Sequence, residues 1–352
     1  WISTFHSACV RILRGSIDFL GYTSDFVIYD SSDAKTLIKD CIKDLDLDEK
    51  AYAPKSVLSA IGKAKDDMQQ PEDFIATHAG DYYSQVVGRI YTLYQKRLKE
   101  NNAVDIDDII FLTVRILIEN PDVLHKYQER FRYILVDEYQ DTNNVQYMLI
   151  SLLAQARQNI CVVGDDDQSI YKFRGANIQN ILGFEEEFPN ARLIKLEQNY
   201  RSTQNILDAA NAVIGNNRGR KGKELWTKNE CGEKIRLYIG TNERAEAGFI
   251  ADEIQKEVAA GRSYSDFAIL YRTNAQSRIL EEMLMRNAVP YRVLAGLRFY
   301  DRKEIKDIIA YLRVIHNERD AISIRRIINE PKRGIGQATV DKASSIADAE
   351  GM

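Results

Sequence analysis

The sequence predicts an α/β fold in which parallel sheets are interrupted by all-helical insertions. Short apolar runs at residues 133–136, 160–163 and 193–196 alternate with amphipathic stretches at 147–153 and 178–184, the order that builds a parallel sheet. Residues 19–104 carry helical periodicity, and the last fifty residues turn helical again. With 352 residues, 45% of them hydrophobic and 28% charged, the chain can form two or three packed domains.

In chain order, Trp1 to Phe5 reads as a short strand, and Ala8, Val10, Ile12 and Leu13 supply the apolar positions of a helix after it. Asp33 is placed to cap a helix carrying Leu37, Ile38, Cys41, Ile42 and Leu45. Val86, Ile90, Leu93 and Tyr94 recur at helical spacing, so residues 19–104 read as an inserted helical domain. Strand candidates at 235–239 and 267–271 make residues 197–300 a second α/β block. Asp301, three before Glu304, forms a cap-like arrangement ahead of Ile305, Ile308, Ile309 and Leu312.

No run of eighteen apolar residues and no secretion-type start is visible, so no membrane partner is expected and the cytoplasm is the default location. Cys9, Cys41, Cys161 and Cys231 lie far apart without a CxxC pair, which argues against zinc and disulfides and reads as four core thiols. A net charge of -4, taken alone, counts against a nucleic-acid partner, although a groove can be basic on an acidic protein. The start at Trp1 without a methionine, and the ending at Met352, suggest a piece of a longer polypeptide.

Two strand ends carry candidate chemistry. Residues 133–136 read as a buried strand ending in Asp137-Glu138, at the carboxyl edge where open α/β sheets bind ligands. The pair reads either as a solvated strand end or as a magnesium nucleotide site, Asp137 holding the metal through water and Glu138 orienting the attacking water. Residues 160–163 lead into Gly164-Asp165-Asp166-Asp167-Gln168-Ser169-Ile170-Tyr171-Lys172-Phe173-Arg174-Gly175. Gln168 could sense a terminal phosphate, and aromatic rings interleaved with cations suit stacking on single-stranded bases. Packing residues are the plainer reading of Tyr171 and Phe173. The basic cluster Arg218, Arg220, Lys221 and Lys223 reads as a solvated loop.

Taken together, Val136 to Asn143, Val163 to Tyr171 and Leu196-Glu197-Gln198-Asn199-Tyr200-Arg201-Ser202 resemble motifs II, III and IV of superfamily 1 DNA helicases of the UvrD/PcrA/Rep type, in that family's order. Thr4-Phe5-His6 is similar to motif Ib, and Leu270 to Arg278 to motif IVa. The resemblance implies RecA-like P-loop NTPase parallel-sheet domains: a first motor domain at 1–18 and 105–192, a helical insertion at 19–104, a second motor domain at 193–300 and the start of a second helical insertion at 301–352. It implies ATP and Mg²⁺ as cofactors, with Asp137 and Glu138 at the metal, Glu138 as catalytic base, and Gln168 coupling the γ-phosphate to DNA. Tyr200 would stack on adenine, and Arg201 would bind the nucleotide as an arginine finger.

On the DNA side the resemblance implies contacts from His6, Tyr171, Phe173, Arg174, Arg272 and Asn274 to single-stranded DNA. Phe173 stands where the family usually has tryptophan, which implies weaker stacking. Lys332 and the Gly334-Ile335-Gly336 turn are similar to the family's contact to the duplex junction, with a Gly-rich helix connection as the equal alternative. Repair proteins are candidate partners.

No GxxxxGK[ST] phosphate loop occurs in the chain, and motifs V and VI are not found. The expectation is a DNA-stimulated ATPase moving 3′ to 5′ in the parent protein, and an inactive fragment. The alternative is a non-catalytic DNA-binding or regulatory module with a helicase-like fold, which a phosphate loop encoded ahead of Trp1 would disfavour. A helicase–nuclease relative is a narrower reading, decided by what is encoded after Met352.

Overall fold

The computed structural model describes residues 1–217, 219–294 and 303–350. It divides into two compact units, Trp1–Lys195 with Asn217–Lys223 and Glu304–Met352 forming the first and Leu196–Asn216 with Glu224–Lys303 the second.

The first unit opens on helix α1 (Phe5–Arg14), not on a strand: the Thr4 hydroxyl accepts the Ser7 N–H and commits Phe5 to the helix. Its buried face, Cys9, Ile12 and Leu13, packs on a later helix. Strands β1 (Val27–Tyr29) and β2 (Ala103–Asp105) pair in parallel at the two ends of the helical segment, an element its periodicity does not reveal. Between them lie α2 (Ser31–Asp44), α3 (Pro54–Asp66), α4 (Pro71–Thr77) and α5 (Tyr82–Glu100). The N-cap of α2 is Asp30; Asp33, expected as the cap, sits at N3 and closes a capping box with it. On α5 the expected face is apparent, with Val86, Ile90 and Tyr94 buried in one core with Leu37, Ile38, Val57 and Ile61.

At the base of this core a lysine is buried. Lys65 Nζ lies 2.7 Å from Asp105 and 2.8 Å from Asp108, and the Tyr94 hydroxyl donates to Asp105 at 2.8 Å. Burial opposes every charge here. The two carboxylates nevertheless hold Lys65 protonated, Lys65 and the Tyr94 bond keep Asp105 below the usual carboxylate range, and burial beside Asp105 pushes Asp108 up to about 6.

The same two aspartates form the capping box of α6 (Ile106–Glu119), a helix buried almost all round, against which α1, α7 (Pro121–Arg130) and α8 (Asn144–Ala154) pack. Strands β3 (Ile134–Val136) and β4 (Ile160–Val162) then pair in parallel, Val136 opposite Val162. Of β3 only Val136 is buried; Leu135 is 77% exposed, so the strand is open and not the buried one expected. Short helices α9 (Gln179–Leu182) and α10 (Phe184–Glu187) follow.

The second unit holds α11 (Gln204–Ile214), α12 (Glu243–Ala259) and α13 (Ser277–Arg286), the last two packed around Ala251, Ile254, Leu284 and Val289. Residues 235–239 and 267–271 here, and 193–196 at the unit boundary, are irregular and not strands. Ile194, Leu237 and Leu270 are exposed along them. An isolated parallel bridge joins Gln198 and Trp226.

Among the described residues the remaining helices are α14 (Lys303–His316), α15 (Ala321–Ile327) and α16 (Gln337–Glu350). The expected cap Asp301 lies outside the described residues. Within the first unit, Arg313 bonds Asp33 at 2.7 Å, Arg325 bonds Asp40 at 2.7 Å and Tyr29 donates to Asp320 at 2.7 Å, docking α14 and α15 on the β1–α2 end. Cys9 and Cys41 are core thiols as expected, but Cys161 and Cys231 are exposed. No helix among the described residues is long and apolar enough to cross a membrane.

Candidate functional site

In the first unit, β3 and β4 end side by side, so Asp137-Glu138 and Gly164-Asp165 leave the same sheet edge. Val163 N–H donates to the Val136 carbonyl at 2.8 Å, and Tyr139 N–H returns to the Val163 carbonyl at 3.0 Å. Asp137 and Glu138 are both exposed, and one Asp137 oxygen accepts the Glu138 N–H at 3.0 Å. Glu138 adopts a φ of 51°, the left-handed region that costs a non-glycine residue about 1–3 kcal/mol and clusters at functional sites.

Buried Gln140 links the two strand ends. Its Nε2 donates to Glu138 Oε2 at 2.7 Å, and its Oε1 accepts the Asp165 N–H at 2.9 Å. Gln168 Nε2 donates to Asp165 Oδ2 at 2.7 Å. A continuous hydrogen-bonded path therefore runs from Glu138 through Gln140 and Asp165 to Gln168. Gly164 is required beside it, since a Cβ there would fall 2.6 Å from Gln140 Oε1 and 2.8 Å from Ile181 Cδ1. The role of Gln140 is not legible in the sequence, because it depends on burial between two strands that are adjacent only in the fold.

Past Gln168 the chain turns through Lys172–Arg174 and closes on Gly175 at φ 90°. Tyr171 and Phe173 are exposed, their ring centroids 6.0 Å apart, and the Arg174 guanidinium lies 5.3 Å from one ring and 5.6 Å from the other. These side chains are therefore not core packing. Two faces and a cation standing in solvent are the composition that stacks on bases and meets phosphate without reading sequence. His6, on α1, is partly buried, and burial holds its imidazole below the ordinary range and hence neutral at pH 7.

The basic loop is not solvated. Arg220 reaches Asp167 with two nitrogens, at 2.8 and 2.6 Å, and Lys221 and Lys223 also pair with carboxylates of the first unit. Arg218 lies outside the described residues. Charge complementarity between the aspartate run and this cluster was the signal available in the sequence. Lys332 and Gly334 are exposed between α15 and α16; Gly334 has φ 75°, and the Asn329 carbonyl oxygen of the side chain accepts N–H groups from Arg333 at 2.7 Å and Ile335 at 3.3 Å. A Cβ on Gly334 or Gly336 would meet nothing within 4 Å, so the turn offers open backbone.

In the second unit, Asn199 Oδ1 accepts the N–H groups of Arg201 and Ser202 at 2.9 and 2.8 Å, shaping the turn that exposes Tyr200 and Arg201. Asn229 Nδ2 donates to the Ser202 carbonyl at 3.0 Å from the neighbouring segment. Arg272 and Thr273 both donate backbone N–H groups to Gln276 Oε1 at 2.9 Å, and Asn274 opens the short turn between them and α13. Asn274 also lines a cavity of about 720 Å³ with Tyr264, Leu270 and Tyr271.

Comparison with known proteins assigns the chain to a family. Residues 1–189 match the UvrD/REP helicase N-terminal domain, and residues 194–350 match the UvrD-like helicase C-terminal domain. The chain is 52% identical over 353 aligned residues to the ATP-dependent DNA helicase PcrA of Bacillus subtilis, covering 100% of this chain and 48% of that protein. It is also 52% identical over 347 residues to the PcrA proteins of Staphylococcus epidermidis and Staphylococcus aureus, covering 99% of this chain and 48% and 47% of theirs. The chain thus spans about half the length of the curated relatives it matches. On both domain matches and on identity along its whole length, the chain belongs to the UvrD/REP helicase family.

Proposed function

We propose that this chain carries the water-activating, phosphate-sensing and single-strand-tracking residues of an ATP-driven DNA motor that moves 3′ to 5′ and unwinds duplexes in repair or replication. The observation that supports it most is the hydrogen-bonded path from Glu138 to Gln168, which joins a candidate base to a candidate phosphate sensor three residues before the exposed rings. In this reading residues 1–18 with 105–192 and residues 193–300 are two RecA-like motor domains, and 19–104 and 301–352 are helical insertions.

Asp137 and Glu138 present hard oxygen donors at an exposed strand end, a donor set that fits Mg²⁺. Bound with ATP, the ion neutralises charge on the phosphates. Glu138 orients and deprotonates the attacking water, and Gln140 keeps its carboxylate aimed. Gln168 donates to the γ-phosphate, Tyr200 stacks on the base and Arg201 stabilises the transferring phosphoryl group. Tyr171, Phe173 and Arg174, with His6, Arg272 and Asn274, follow single-stranded DNA, while Lys332 and the backbone N–H groups at Gly334 and Gly336 meet phosphates at the duplex junction.

The test is Glu138→Gln in the natural protein that carries this sequence. DNA-stimulated phosphate release should fall about 10²–10⁴-fold while nucleotide affinity is kept. Turnover at the wild-type rate would overturn the assignment.

A further inference from the structure

The strongest feature that this reading does not use is the ionic strap from residues 219–223 onto the aspartate run. Asp165, Asp166 and Asp167 each bring an oxygen within 4.8 Å of the others, a concentration of negative charge that must be met by cations or protons. Two side chains of the strap meet it. Arg220 makes the bidentate pair with Asp167, and its Nη2 also donates to the Lys223 carbonyl at 2.9 Å, which tightens the loop. Lys223 Nζ bonds Asp165 and lies 3.8 Å from Asp167. The Lys221 backbone N–H donates to Asp166 Oδ2 at 2.8 Å, its Nζ pairs with Glu185 at 2.5 Å, and Lys195 donates to the Lys221 carbonyl at 3.1 Å.

These pairs are set apart from ordinary surface salt bridges by number and burial. Side-chain exposure is 19% at Arg220 and 9% at Asp167, and a bidentate pair within a network contributes where an isolated exposed pair adds little. The places a metal would take around the three aspartates are filled by Arg220 and Lys223, so the triad is a receptor for the strap. What the strap holds is Asp165. One of its oxygens takes Lys223 and caps the Asp167 N–H at 3.0 Å; the other is the acceptor that orients the Gln168 amide. Although burial opposes its ionisation, Lys223 and Gln168 together keep the Asp165 carboxyl below the usual range.

We propose that Arg220 and Lys223 are positioning residues that hold the 164–169 loop in the shape that presents the Gln168 amide for phosphate sensing. The proposal rests on the role given to Gln168 above. Loss of Lys223 frees Asp165 to turn and removes the fixed acceptor from Gln168, and loss of Arg220 leaves Asp167 unpaired beside the other carboxylates and loosens the loop that carries Lys223. Neither cation has to touch nucleotide or DNA for this to slow turnover.

The experiment uses Arg220→Ala, Lys223→Ala and the conservative Lys223→Arg in the natural protein, with two readouts. Amide hydrogen exchange without nucleotide reads the strap directly: both alanine variants should exchange faster at Asp167, Gln168 and Lys221, while β3, β4 and the melting temperature stay as in the wild type. DNA-stimulated ATP hydrolysis reads its purpose: kcat should fall on the order of 10- to 100-fold with KM for ATP unchanged, and Lys223→Arg should recover most of it. Unchanged exchange in both alanine variants would overturn the strap. Faster exchange with wild-type kcat would overturn its role in presenting Gln168, as would a rise in KM for DNA alone, which would make the two cations phosphate contacts. If the wild-type protein shows no DNA-stimulated hydrolysis, the role of Gln168 fails and the positioning role with it, whereas the exchange pattern still decides whether the strap exists.

Discussion

Asp66 shows how a single side chain reports on the ground between the helical segment and the candidate site. It ends α3, its Oδ1 accepts from Asn143 Nδ2 at 2.6 Å, and its Oδ2 would lie 3.0 Å from a Cβ on Gly175. Burial, followed by the nearby charges of Asp107 and Asp67, pushes its carboxyl from 3.8 up to about 7. The folded state therefore holds this proton more tightly than the unfolded state. The associated stability is full below about pH 4 and is lost as pH rises through 7. Asp66→Asn keeps an oxygen for Asn143 and removes the titration. Its urea midpoint should match the wild type below about pH 4 and exceed it increasingly toward pH 8; equal midpoints at pH 8 would refute the shift. Residues of this kind were hidden in the sequence. Asp137 and Glu138 were legible because they end an apolar run, whereas Asp66, Gln140, Arg220 and Lys223 acquire their roles from partners 25 to 77 residues away.

Helices were more legible than strands. The spacing of Val86, Ile90 and Tyr94 is enough to place α5, since a helix satisfies its own backbone and needs only a buried stripe. A strand needs a neighbour that the local pattern does not name. The apolar runs at 133–136 and 160–163 find one in each other, while those at 193–196, 235–239 and 267–271 are irregular and largely exposed. Three-residue strands such as β1 and β2 are too short to alternate visibly. At this scale the buried Lys65 decides how α3, α5 and α6 meet, because Asp105 and Asp108 both depend on it while capping α6. Lys65→Met would leave two carboxylates buried without a cation. A loss of about 3–5 kcal/mol is expected, read as a lower denaturant midpoint, and a midpoint within error of the wild type would count against the network.

For the molecule as a whole, family and order of motifs were legible because five short segments carry them, and the domain matches extend over the same residues. The arrangement of the insertions was less so, since α14 and α15 dock on the β1–α2 end through scattered polar pairs and one buried apolar residue, Ile322, with no shared pattern. A polypeptide of these 352 residues contains no GxxxxGK[ST], the loop whose N–H groups and lysine hold nucleotide phosphates. Purified alone, it should release no phosphate from ATP above background with or without single-stranded DNA, and robust DNA-dependent release would contradict this. The contact between the Tyr29 hydroxyl and Asp320 spans 291 positions. On a ribosome adding about 5–20 residues per second, the early part of the chain therefore waits roughly 15–60 s for its late partner to be made. During that interval the Tyr29 hydroxyl of the β1–α2 end has no Asp320 to donate to, a window in which a chaperone could act on the nascent chain.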